Sequence, residues 1–288
     1  QDVALILHTS GTTSRPKIVP LTQANLAASA RNIGTSLALT AADRCLNVMP
    51  LFHIHGLSTL FASLAGGGSV VCAGPFSAAD FFACLDEFRP TWYTAAPTIH
   101  REILAGATGH PASVARHGLR FVRSASAPMP RQLLVEIERV FGVPFIEAYG
   151  MTEAGPQIAS NRLGRTVRKP GSVGPAAGPE VAVMDDAGHL LPAWKGGEIV
   201  VRGANVLAAY GDDPAADARA FVRGWLRTGD SGYLDEEGHL FVTGRLRDVI
   251  NRGGEKISPP ELEQVLLAHP AVTQAVAFPV PHPTLGED

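Results

Sequence analysis

Short apolar, β-branched runs alternate with longer amphipathic stretches over the first half of the chain. Val3-Ala4-Leu5-Ile6-Leu7 is apolar throughout and predicts a buried strand. Thr22 can cap a helix running through Ala27 to Leu39, where alanine is frequent. Ser69 to Ala73 reads as a buried strand and Ala78 to Phe88 as an amphipathic helix. Thr91 to Thr94 is strand-like, Thr98 to Leu104 helical and Arg120 to Arg123 strand-like. Pro130 suits the first turn of a helix reaching Val140, and Val143 to Ala148 returns to strand. Such alternation predicts an α/β fold with a parallel or mixed sheet. Ligands of these sheets gather at the carboxyl ends of the strands, where the 9–17 loop and the 149–153 turn are expected.

After about Val181 the pattern shortens. Glu180 to Val183, Glu198 to Arg202 and His239 to Thr243 read as short strands, with turns at 185–188 and 235–238. A boundary near Arg247 leads to a last unit, in which Pro259-Pro260 opens a helix through Leu267 and Val272 to Phe278 forms a strand. The expected units are an α/β part over 1–180, a β-rich subdomain over 181–246 and the start of a further domain over 247–288.

With 288 residues, 45% of them hydrophobic, the chain can bury a substantial core. A net charge of −3 provides no general basic field, which argues against nucleic acid as a partner. Cys45, Cys72 and Cys84 form no C-x-x-C pair and suit a reduced, cytoplasmic protein better than a disulfide scaffold. The apolar stretch from Gly56 to Cys72 is interrupted by Gly66-Gly67-Gly68 and diluted by Ser58, Thr59 and Ser63, so a helix followed by a strand is expected rather than a membrane span.

Candidate chemistry begins at residues 7–17. Thr9, Ser10, Thr12, Thr13 and Ser14 supply hydroxyls, Gly11 lets the backbone approach an anion, and Arg15 and Lys17 supply positive charge. The loop suits a polyphosphate, but it is not a Walker A loop. G-x-x-x-x-G-K-[ST] begun at Gly11 would need Gly at 16 and Ser or Thr at 18, where Pro16 and Ile18 stand. His53 and His55 are two apart without a third ligand type nearby in sequence, which argues against a metal site there.

Three further blocks follow in order: Glu147-Ala148-Tyr149-Gly150-Met151-Thr152-Glu153, Gly224-Trp225-Leu226-Arg227-Thr228-Gly229-Asp230, and Gly244-Arg245-Leu246-Arg247 running on to Gly253-Gly254-Glu255-Lys256. With the 8–17 loop, this set resembles the adenylate-forming superfamily of acyl-CoA synthetases, luciferases and adenylation domains. Pro50-Leu51-Phe52-His53-Ile54-His55-Gly56, Pro90-Thr91-Trp92-Tyr93-Thr94 and Lys169-Pro170-Gly171-Ser172-Val173-Gly174 look closest to its oxalate–CoA ligase-like branch. The resemblance implies a partial large domain followed by the beginning of the small C-terminal domain. The chain is therefore expected to be a fragment, with the family's C-terminal adenylation lysine outside it.

What the resemblance implies chemically is an ATP-dependent acid–CoA ligase using ATP, Mg²⁺ and coenzyme A. Thr9, Ser10, Gly11, Thr12, Thr13 and Lys17 would hold the β- and γ-phosphates; the family usually has glycine where Ser14 stands. Ala148, Tyr149 and Gly150 would form the adenine wall and its turn, Thr152 would donate to the α-phosphate, and Glu153 would ligate Mg²⁺. Asp230 would accept the ribose hydroxyls, Arg245 would reach ribose and phosphate, Arg247 would be the hinge, and Gly254 would flank the pantetheine tunnel. His53 would gate the acyl pocket, with Ser124, Ser126 and Met151 in its lining; His55 reads better as a structural histidine.

The polar Ser124 and Ser126, with Arg123 beside them, favour a small or dicarboxylic acid such as oxalate. Against oxalate itself, that branch commonly carries histidine where Pro156 stands. Two other readings stay open at this point: an adenylation domain that loads a carrier protein, and a non-catalytic nucleotide- or acyl-binding relative.

Overall fold

Side chains on a strand alternate between faces, so a strand buried on both sides must be apolar on both. The central strands meet that demand. Cys45, Trp92, Phe121 and Ile146 pack on one face beneath Ile33, Leu37 and Ala62. Their chain neighbours Leu46, Tyr93, Val122 and Phe145 pack on the other beneath Phe81, Phe82, Leu85, Ile103, Leu133 and Ile137. Helices Gln23–Ser36 and Ile54–Ala65 therefore cover one face, and Ala78–Phe88, Pro97–Ala107 and Arg131–Phe141 the other.

The computed structural model describes residues 2–9, 17–164, 168–210, 214–267, 269, 271–272 and 274–288. Its six-stranded sheet runs Ser69–Cys72, Arg44–Asn47, Trp92–Ala95, Phe121–Ser124, Phe145–Gly150, Gln157–Ser160. The first five are parallel and the last is antiparallel. Strand order reverses between Arg44–Asn47 and Trp92–Ala95, because the intervening strand lies on the outer side. A second, antiparallel sheet orders Glu180–Met184, Gly197–Arg202, Trp225–Leu234, His239–Arg245, Gly174–Pro175. A four-stranded sheet of short strands follows, built from Ile250–Arg252, Glu255–Ile257, Pro281–His282 and Gly286–Glu287. The mixed α/β architecture is the one expected. Among the described residues, no helix is long and apolar enough to cross a membrane.

Four expectations change. Val3–Thr9 is not a buried strand of the parallel sheet; it pairs only with Lys17–Thr22 in an antiparallel hairpin. Its alternate residues Leu5 and Leu7 reach the core while Val3 and Ile6 are exposed, so continuous apolarity did not mean two-sided burial. Ser69–Cys72 is likewise an edge strand and half-exposed. The first helix stops at Ser36 rather than Leu39: Leu37 caps it, and Ala38 turns into the left-handed region at φ +48°. Finally, none of the described residues between Val272 and Phe278 is in a strand, and Val276 and Phe278 are exposed. β propensity without a neighbouring strand to pair with does not make a sheet.

Candidate active site

A cleft of about 1400 Å³ opens beyond the carboxyl ends of the parallel strands. Its walls come from the hairpin at 6–9 and 17–20, from 52–55, from 149–157, and from the second sheet at 227–230 and 245. This is where a strand-order reversal predicts a ligand crevice.

On one wall the Tyr149 hydroxyl donates to Asp230 Oδ2 at 2.6 Å, and Arg245 Nε lies 3.4 Å from Oδ1. Burial raises the Asp230 carboxyl pKa, opposed by the Tyr149 hydrogen bond and by Arg245. Tyr149, half-buried against that carboxylate, is held well above its ordinary value by desolvation and then by the Asp230 charge. A bulge presents Asp230 to the cleft. Glu198 grips Arg227 Nε at 2.6 Å and accepts from Gly229 N at 3.0 Å, while Thr228 Oγ1 donates to Ile199 O and accepts from Asp230 N. The turn after Tyr149 is equally constrained, since a Cβ on Gly150 would collide with the Pro156 carbonyl.

Glu153 sits in the single helical turn Thr152–Ala154 and is 5% exposed. Its Oε1 accepts from the Tyr210 hydroxyl at 2.9 Å, and Lys17 Nζ stands 4.8 Å from the centre of the Tyr210 ring. Among the described residues, no three His, Cys, Asp or Glu side chains converge to hold a metal. Glu153 still fits magnesium, a hard ion usually held by one or two carboxylates with phosphate and water completing the shell.

The third wall is a buried polar chain. His53 Nδ1 accepts from His55 N at 3.0 Å and so caps the Ile54–Ala65 helix, its ring pKa lowered by partial burial. His55 is buried, with Nδ1 2.9 Å from Ser126 Oγ and Nε2 2.7 Å from Thr94 Oγ1. Desolvation, then the Arg123 charge, lowers its pKa well below the usual range. Ser126 occupies the left-handed region at φ +80°, a strained position for a non-glycine residue.

Arg123 is 2% exposed and lines the cleft with Thr94, His55 and Gln157 as polar neighbours, none of them acidic. Its Nε has no partner among the described residues, and burial lowers its pKa to about 10. A buried cation without a counter-anion is costly, so an anion entering the cleft would be stabilised there.

The cleft thus gathers Thr9, Lys17, His53, Ser126, Tyr149, Gly150, Met151, Thr152, Glu153, Asp230, Arg245 and Arg247 of the expected residues. Ser10, Gly11, Thr12 and Thr13 lie outside the described residues. Ser124 is buried away from the cleft lining, its hydroxyl 3.9 Å from Met129 Sδ, and Ala148 stands behind Tyr149. Gly254 lies in the Gly253-Gly254 turn at φ +95°, away from the cleft lining, and a Cβ there would meet nothing within 4 Å. Sequence reasoning missed Tyr210, Glu198 and Thr94. Tyr210 is 57 residues from Glu153, and no spacing rule joins them.

A nucleotide-sized crevice with a carboxylate–arginine pair on one wall, and a lysine and a carboxylate bridged by the Tyr210 ring on another, defines an AMP-binding fold. Residues 1–211 match the family of AMP-binding enzymes, and the chain belongs to it. It is 48% identical over 291 residues to oxalate–CoA ligase of Arabidopsis thaliana, covering 100% of this chain and 56% of that protein. It is 42% identical over 287 residues to sulfoacetate–CoA ligase of Cupriavidus necator, covering 99% of this chain and 56% of that protein. The fold superposes on o-succinylbenzoate coenzyme A synthetase of Bacillus subtilis in complex with ATP and a magnesium ion. There the TM-score is 0.86 at 37% identity, over 98% of this chain and 58% of the other. The chain thus spans little more than half the length of these relatives.

Proposed function

We propose that the protein containing this chain is an ATP-dependent acid–CoA ligase whose substrate is a small acid bearing a second anionic group. The observation that carries the reading is the convergence of Lys17, Thr152, Glu153, Tyr149, Asp230 and Arg245 on one cleft. In the first step a substrate carboxylate oxygen attacks the α-phosphorus of ATP, and the bond to the bridging oxygen breaks, releasing pyrophosphate. In the second the coenzyme A thiol loses its proton and attacks the acyl carbonyl, and AMP leaves.

Tyr149 would lie against the adenine, with Ala148 and Gly150 shaping that wall, while Asp230 accepts from the ribose hydroxyls and Arg245 reaches ribose and phosphate. Thr9 and Lys17, with the hydroxyls of the 10–13 loop, would neutralise the β- and γ-phosphates, and Thr152 would donate to the α-phosphate. Magnesium held by Glu153 would supply charge neutralisation along the triphosphate. Arg247 would be the hinge between a large domain, made of the units 1–180 and 181–246, and the last unit, 247–288, and Gly254 would flank the coenzyme A path. We assign the reaction to the cytoplasm, in keeping with the free cysteines.

His53, Ser126 and Met151 would border the acyl pocket, and Arg123 would pair with the second anionic group. Two relatives support this: their named acids, oxalate and sulfoacetate, both carry two anionic groups. The test is incubation of the full-length protein with ATP, Mg²⁺, coenzyme A and single acids, reading AMP and the acyl-CoA by mass spectrometry. Diacids such as oxalate or malonate are expected to give product, and fatty or aromatic monoacids little. AMP and thioester formed only with monoacids would overturn the substrate reading; nucleotide binding without turnover of any acid would favour the non-catalytic relative.

A further inference from the structure

Residues 203–210 form a strap across the turn that carries Glu153. Asn205 Nδ2 donates to Ala154 O at 2.6 Å and to Gln157 O at 3.0 Å, and Leu207 N donates to Glu153 O at 2.8 Å. From the other side Asn25 Nδ2 holds Ala204 O and Val206 O, each at 2.9 Å. The strap reaches the cleft at Tyr210, which is 7% exposed and whose backbone N–H is anchored on Asp217 Oδ1 at 2.7 Å. The phenol therefore has few alternative positions.

We infer that Tyr210 is the positioning residue for the metal-binding carboxylate, an inference that rests on the magnesium role proposed for Glu153. Its hydroxyl donates to Oε1 of Glu153, which fixes the carboxylate plane and commits one lone pair to the protein. Oε2 is then left for a cation. The face of the same ring lies 4.8 Å from Lys17 Nζ, so a single side chain sets the lysine and the carboxylate relative to each other. A neutral donor suits this task. It orients the carboxylate without cancelling its charge, as an arginine would. Outer-shell partners of metal ligands act in this way.

Tyr210→Phe in the full-length protein keeps the ring over Lys17 and removes only the hydroxyl. We expect the Mg²⁺ concentration for half-maximal ATP–pyrophosphate exchange to rise roughly 10-fold. Binding of Mn²⁺·ATP, read by the paramagnetic signal of free Mn²⁺, should weaken in parallel, while metal-free AMP binding and the melting temperature change little. Unchanged Mg²⁺ dependence, or equal loss of AMP and Mn²⁺·ATP binding, would overturn the inference. Glu153→Gln is measured alongside. If it also leaves the metal dependence unchanged, the magnesium role of Glu153 fails; if it alone shifts that dependence, the role stands and the Tyr210 inference fails.

Discussion

Ionisable groups shifted by burial are the residues whose chemistry is most exposed to test. Glu147 is one. It lies on the Phe145–Gly150 strand, where desolvation and then the Glu138 carboxylate raise its pKa to about 7 from an ordinary 4.5. Between those values the folded protein holds more protons than the unfolded chain, so stability falls as pH rises through that window. Glu147→Gln should therefore raise the melting temperature at pH 8 by several degrees and leave it nearly unchanged at pH 4, as differential scanning fluorimetry across pH would show. Arg123 is the complementary case. Replacing it with methionine removes a buried guanidinium whose hydrogen-bond partners among the described residues are all neutral, so the melting temperature should hold within a few degrees. The KM for a diacid should meanwhile rise roughly 10- to 100-fold, the scale of one charge-assisted hydrogen-bonded contact. An unchanged KM would remove Arg123 from the acyl pocket. Glu153→Gln should cut adenylation at least about 100-fold while AMP binding persists, since the AMP contacts proposed at Asp230 and Arg245 do not involve it.

At the scale of elements, the helices were legible because a 3.6-residue apolar period and a cap suffice to define one. Ala78–Phe88 has the bounds expected from sequence, and Thr22 caps the first helix as expected. The structure adds what the cap does. Asn25 completes the capping box by accepting from Thr22 N and also ties the helix to the strap at Ala204 and Val206. Thr22→Ala should cost about 1 kcal/mol of stability. Asn25→Ala should cost more, because it also strips two carbonyls of their donor. Equal losses in urea denaturation would show that the tie to the strap contributes nothing. Strands were less legible. A run such as Val3–Leu7 or Val272–Phe278 does not state its partner, and the partner decides whether it is buried, at an edge or unpaired. The long Trp225–Leu234 strand was hidden by the polar Thr228-Gly229-Asp230 in its middle, where the bulge presents Asp230.

Across the whole molecule, Tyr149, Glu153, Asp230 and Arg245 were legible because they sit inside recurring blocks, although 96 residues separate Tyr149 from its neighbour Arg245. Their supports were not. Tyr210 and Glu198 act through hydrogen bonds to residues 57 and 31 positions away, distances that only the fold closes. The buried setting of Arg123 was also invisible: the sequence places it beside a pocket, and only the structure shows that its hydrogen-bond partners among the described residues are neutral. The central claim is that this cleft adenylates a small acid with a second anionic group. Carboxylate-dependent ATP–pyrophosphate exchange by the full-length protein tests it most directly, across oxalate, malonate, medium-chain, fatty and aromatic acids. The account predicts Mg²⁺-dependent exchange with oxalate or another short diacid and none with the monoacids. Exchange driven by a fatty or aromatic monoacid, or no exchange with any acid by a protein that binds ATP, would contradict it.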